Sequence, residues 1–150
     1  MPTVSRTFSV RSSPHQVIEY LKDFAHAVEW DPGTQQCTRN DSGPIGEGAS
    51  WHNVSKIAGI TAELTYTLEK MSDSNLVFVG RNKSSTSTEN IYVDAANTGS
   101  VITYRNDLEI RGPIALLNPL LKLYFEKLAS DTEKQLTSVL NRLQIETVYK

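Results

Sequence analysis

"RGPIALLNPLLKLYFEKL", Arg111 to Leu128, decides how the whole chain is read. At about 100° per residue, Leu116, Leu117, Leu120, Leu121, Tyr124, Phe125 and Leu128 spread over roughly half of a helical wheel. Farther on, Leu136, Val139, Leu140 and Leu143 continue a narrower stripe toward the C-terminus. Pro119 removes one backbone hydrogen bond, which predicts a kink or a boundary between a first turn and the main helix. The rest of the chain is polar, with a mean hydropathy of -0.34 and 21% charged residues. A helix this broadly apolar therefore has to cover more than a narrow seam.

The surface it covers is written in the strands before it. "TVSRTFSV" alternates, with Val4, Phe8 and Val10 on one side and Arg6 interrupting them. Next comes a helical stretch with Ser13 as N-cap, Pro14 at the first helical position and Gln16 completing a capping box; Val17, Leu21 and Phe24 form its inner row. "WDPG", Trp30 to Gly33, ends it with a turn. From Thr34 to Ile110, β-branched residues punctuated by turn formers predict about six strands in an antiparallel meander. Two have a legible register. Ala62, Leu64, Tyr66 and Leu68 share one face, as do Ile102, Tyr104, Asn106, Leu108 and Ile110. The register of the strands around Trp51, Phe78 and Tyr92 stays open.

Length and charge bound the function. A chain of 150 residues and 16.7 kDa is one domain's worth, residues 1–150. Its 15 Lys+Arg against 17 Asp+Glu form no run of one sign, so no nucleic-acid partner is expected. The single cysteine, Cys37, excludes an internal disulfide and leaves zinc without a thiolate cluster. No secretory signal or membrane span is visible, so a cytoplasmic protein is expected, as monomer or homodimer. The Asn-x-Ser/Thr patterns at Asn40, Asn53 and Asn82 then carry no weight. His15, His26 and His52 lack metal-ligand spacing, and neither a Gly-x-Ser-x-Gly elbow nor a phosphate-binding glycine loop occurs. No metal or cofactor is expected.

Strand, short helices, meander and long amphipathic helix together give an α+β fold: a curved antiparallel sheet of about seven strands wrapped around the C-terminal helix, with two short helices after the first strand. Such a layer pair leaves room for a ligand. The stretch Ser12 to Trp30 followed by "DPG", then "GPIGEG" (Gly43 to Gly48), then Thr103 to Leu128, resembles the polyketide cyclase/dehydrase branch of the START-like superfamily. The resemblance runs over nearly the whole chain and implies the helix-grip fold shared with birch-pollen-type allergens. It also implies a cavity used variously by aromatic cyclases, lipid and sterol carriers, quinone-binding proteins and plant hormone receptors. Fold alone does not choose among them.

The residues lean toward binding. Polyketide cyclisation needs an acid or base beside an enolisable carbon, yet on the two legible strands the inner face offers only Tyr66, Tyr104 and Asn106. Glu63, Glu69, Arg105, Asp107 and Glu109 face outward, an arrangement that a β-bulge would reverse. Asn106 needs a partner if buried. If Trp51 points inward, so does Asn53; the opposite register brings in His52. The expected ligand-lining set is Trp51, Asn53, Leu64, Tyr66, Tyr104, Asn106, Leu117, Leu121, Tyr124 and Leu128. Arg6 is either a strand-end residue with its head in water or an anchor for an acidic ligand, and Trp30 a plug near the cavity mouth. The expected function is binding or carriage of a small hydrophobic molecule. A cyclase or dehydratase using the same cavity, or a protein-interaction module, is the alternative.

Overall fold

The computed structural model describes residues 3–57, 59–112 and 118–149, without the side chains of 57, 118–121 and 144–149. The order is β1 (Thr3–Val10), α1 (Pro14–Leu21), a 3-10 turn (Phe24–His26), α2 (Ala27–Trp30), β2 (Thr34–Arg39), β3 (Ser50–Ile57), β4 (Ile60–Met71), β5 (Asn75–Arg81), β6 (Ser85–Ala96), β7 (Gly99–Ile110) and α3 (Asn118–Tyr149). The seven strands form one antiparallel sheet in the order β1-β7-β6-β5-β4-β3-β2. The meander pairs neighbour to neighbour, and β1 closes onto β7.

Local chemistry places each element. Ser13 caps α1: its hydroxyl accepts from the Gln16 amide at 3.2 Å, and the Gln16 side chain accepts from the Ser13 amide at 3.0 Å. The interval to Trp30 divides into two short helices and a 3-10 turn. Asp23 caps the turn by accepting from Ala25 N, and also takes the Trp51 indole N–H at 3.1 Å. Pro119 falls in the first turn of α3 as described, a position that proline tolerates.

The bulge in β4 lies between Leu68 and Lys70. Ala62 to Leu68 therefore keep one register, and beyond the bulge Met71 rather than Lys70 packs against the core. The registers left open by the sequence resolve as Trp51 and Phe78 inward, both fully buried, and Tyr92 outward at 44% exposure.

Arg6 departs from both of its expected roles. Its Nη2 donates to the Glu126 carbonyl at 3.0 Å, the Glu126 carboxylate at 2.9 Å and Ser130 Oγ at 3.2 Å. It ties the edge strand β1 to α3, because the edge is covered by the helix and offers a carboxylate there instead of open water. His52 faces the outer side beside Glu63, 2.9 Å away, and His26 stacks on Tyr20.

The interior is divided along α3. One end is solid: Phe24 packs on Tyr66 and Phe78 with ring centroids 4.5 and 4.6 Å apart, next to Trp51, Trp30 and the C-terminal half of the helix through Leu136, Val139 and Leu140. At the other end a smaller cluster of Val4, Leu108, Phe125 and Ala129 borders open space. The narrower stripe at Leu136 to Leu143 faces the solid end, and Phe125 and Leu128 of the broader one before it face the open end.

Candidate functional site

The open space is a cavity of about 190 Å³ between the sheet and the first half of α3. Period-two alternation sends Ala62 and Leu64 of β4, Leu108 and Ile110 of β7 and Val4 of β1 into it. Phe125, Leu128 and Ala129, on one face of α3, form the opposing wall. The polar groups gather on the sheet side and at the turn after α2: Tyr66, Ser87, Glu89, Tyr104 and Asn106 from the strands, Asp31 from the turn.

Glu89 lies at the centre of this polar group. Its cross-strand partners are Phe78 on β5 and Asn106 on β7, and the side chain is buried at 3% exposure. The Tyr104 hydroxyl donates to its Oε2, while Asn106 bonds the carboxyl and gives Nδ2–H to Ser87 Oγ at 3.0 Å. Burial raises the Glu89 pKa to about 8, with the nearby Asp31 charge adding to the rise and the bonds from Tyr104 and Asn106 opposing it. The same burial and the Glu89 charge push Tyr66 and Tyr104 well above the ordinary phenol value.

Asp31 is held differently. Its Oδ1 accepts from Gly33 N and its Oδ2 from Thr34 Oγ1, both at 3.0 Å. Thr34 in turn accepts from Asn53 Nδ2 at 3.4 Å, and Asn53 takes the Ser55 hydroxyl. Loss of solvent nonetheless raises the Asp31 pKa. Its surface is half-buried because it opens onto the cavity.

The expected lining set divides accordingly. Leu64, Tyr66, Tyr104, Asn106 and Leu128 line the cavity. Trp51 lies in the solid core with its N–H on Asp23. Asn53 is buried one layer behind the wall, where it braces Thr34 and Ser55. Tyr124 is half-buried and packs edge-on against Phe125, with ring centroids 6.0 Å apart. Leu117, and the side chain of Leu121, lie outside the described residues. Trp30 is a core plug, 6.1 Å from the Tyr104 ring.

The inward inventory is richer in titratable groups than the two legible strands allow. Glu89 and Asp31 face the cavity, so the expectation of an interior with few such groups is corrected. Polar residues on both faces at the start of β6, "STSTEN", conceal the period of two. Counting back from the buried Ile91 and Val93 puts Glu89 and Ser87 on the inner face, the one signal that finds them. Asp31, in a turn recognisable only as a helix stop, carries no such signal.

Gly80 makes room for the Tyr66 ring. A Cβ there would sit 2.6 to 2.7 Å from three ring atoms, so Gly80→Ala must displace a buried tyrosine. A loss of about 1–3 kcal/mol in urea unfolding is expected, together with weaker uptake of any probe that fills the cavity. Unchanged stability and uptake would show that the ring is not pinned.

The curved antiparallel sheet closed on a long C-terminal helix, with an interior cavity at one end, is the START-like helix-grip architecture. The chain belongs to the family described as polyketide cyclase / dehydrase and lipid transport, which it matches over residues 1–144. Binding a hydrophobic molecule, or acting on one as a cyclase, is the class of function that family carries. A START superfamily protein from Mycobacterium smegmatis superposes with a TM-score of 0.77 at 14% identity, covering 94% of this chain and 98% of the other. A protein from Thermus thermophilus gives 0.78 at 13%, covering 93% and 97%. The Zhui aromatase/cyclase from a Streptomyces species gives 0.72 at 13%, covering 95% and 93%. At such identities the likeness is one of fold. No curated protein sequence matches the chain. Among the described residues, no helix is long and apolar enough to cross a membrane.

Proposed function

We propose that the protein is a single ligand-binding domain that holds a small, mostly hydrophobic molecule in the cavity between sheet and α3. The observation that carries this reading is the cavity wall: aliphatic and aromatic side chains from β1, β4, β7 and α3 border about 190 Å³, with the two carboxyls, Asp31 and Glu89, grouped on the side away from α3. Burying apolar ligand surface against such walls is favourable by about 25 cal/mol per Å² before the costs of association. The grouped carboxyls and their hydrogen-bond partners fix orientation. Within this proposal the protein works in the cytoplasm, as monomer or homodimer and without nucleic acid.

Native mass spectrometry of the purified protein, followed by solvent extraction, tests it. A defined lipid-, quinone- or polyketide-like adduct is expected. A bare mass that no hydrophobic probe shifts would overturn the reading.

One observation favours a second reading, a cyclase or dehydratase acting on the same bound molecule. Glu89 is a buried carboxyl whose pKa of about 8 lies near neutral pH, hydrogen-bonded to a tyrosine and opening onto the cavity. A group so poised takes or gives a proton with little bias, and a cavity that folds a poly-ketone chain supplies proximity. Turnover of a β-hydroxy ketone or poly-ketone, lost in Glu89→Gln while ligand uptake persists, would establish it. Uptake without turnover in the parent protein would leave carriage as the function.

A further inference from the structure

The polar side of the cavity has acids and no base. Asp31 and Glu89 both line it, and no lysine, arginine or histidine does so among the described residues. Two neighbouring arginines are committed elsewhere. Arg6 is held by Glu126 and Ser130, and Arg111 by Glu109, Thr86 and the Asn82 carbonyl. Residues 113–121, "PIALLNPLL", contain no charged side chain. Carboxyls in an apolar enclosure are costly unless a partner offsets them, and their hydrogen bonds here come from neutral donors: Tyr104, Asn106, Thr34 and the Gly33 amide.

We infer that the ligand is an apolar molecule carrying a basic nitrogen, bound as its ammonium ion toward Asp31 and Glu89, with its hydrocarbon part against Leu64, Leu108, Phe125 and Leu128. This rests on the cavity being a hydrophobic-ligand site, as proposed above. A cation there gains from both carboxyls in surroundings that screen them poorly. A fatty acid of the same length adds a negative charge beside the Asp31 carboxyl and gains nothing from ionising Glu89. The cavity therefore discriminates by charge as well as by shape.

Binding also moves a proton. The titratable groups around Glu89 are Asp31 from the turn, Tyr66 from β4 and Tyr104 from β7, while among the described residues α3 brings Phe125, Leu128, Ala129 and Thr132, none of them titratable, to the cavity. With burial and Asp31 keeping Glu89 largely protonated near pH 7, an arriving ammonium ion favours its carboxylate and releases that proton to buffer.

Three eight-carbon probes separate the possibilities by calorimetry at pH 7.5: octylamine, octan-1-ol and octanoate. Octylamine is expected to bind at least tenfold more tightly than octan-1-ol, with octanoate weakest. Its heat should differ between Tris and phosphate by the ionisation heat of the released proton. Glu89→Gln and Asp31→Asn should each reduce the amine's advantage, with thermal melting confirming that the variants fold. Octanoate binding as well as octylamine, or an amine advantage unchanged in both variants, would overturn the charge preference while leaving the hydrophobic site standing. Failure of all three probes to bind would overturn the site itself.

Discussion

Glu89→Gln is expected to match the parent protein in stability at pH 5 and to exceed it by roughly 4 kcal/mol at pH 9. The glutamine keeps the shape of the side chain and an acceptor for the Tyr104 hydroxyl. What it loses is a proton equilibrium. In the folded protein Glu89 titrates at about 8, against an ordinary value of 4.5. Between those values the native state holds a proton that the unfolded chain has released, so the parent loses stability as pH rises through the window. The loss is complete above about pH 8, where a buried carboxylate is fully charged. For a chain of this length the difference in Tm at pH 9 is on the order of 10 °C. Asp31, also raised by burial, contributes with the same sign in both proteins. Asp107, lowered by its hydrogen bond from Arg105, acts only at the acid end and again in both. Melting curves that stay parallel from pH 5 to pH 9 would show that Glu89 is not buried as described.

Gly99→Ala is expected to cost about 3 kcal/mol or more, for two reasons that add. Gly99 has φ of +143°, a conformation L side chains rarely adopt. A Cβ there would stand 2.1 Å from the Val10 carbonyl oxygen and 2.8 Å from the Arg11 backbone, which cannot rotate away as a side-chain tip can. The end of β1 would have to move, and it is anchored on both sides. Val10 pairs with Ser100, whose hydroxyl donates to the Ser12 carbonyl at 2.7 Å, and the Ser12 hydroxyl donates to the Leu140 carbonyl on α3. The strain therefore reaches the junction of sheet and helix. Gly46, with nothing within 4 Å of a Cβ and no positive φ, is the control. Urea unfolding midpoints should fall sharply for Gly99→Ala and little for Gly46→Ala; equal small shifts would contradict the packing at this hairpin.

The fold was legible where local chemistry repeats along the chain. The Ser13–Gln16 box is a four-residue pattern, and the alternation in β1, β4 and β7 names the inner face directly. Breadth of the apolar stripe before Leu128 implied an interior that the helix alone could not fill. Part of the site was legible for the same reason, since Leu64, Tyr66, Tyr104 and Asn106 sit on those regular strands. The acids were not. A glutamate in a strand reads as outward-facing by hydrophobicity, and Glu89 turns inward only when the period is counted back from Ile91 and Val93, a register that pairs it with Phe78 and Asn106. Trp51 and Asn53 show the converse limit. Period two gives the face correctly, but which part of that face borders the cavity depends on the Phe24 aromatic cluster, which fills the interior next to Trp51.

The space between the sheet and the first half of α3 is the proposed seat of a hydrophobic molecule. A methyl NMR titration with octan-1-ol shows whether the molecule enters it. Shifts should cluster at Ala62, Leu64, Leu108, Leu128 and Ala129, which surround the cavity from both sides. Shifts confined to the exposed Val28 and Leu123 would mean that the molecule meets only the outer surface, and would contradict the account.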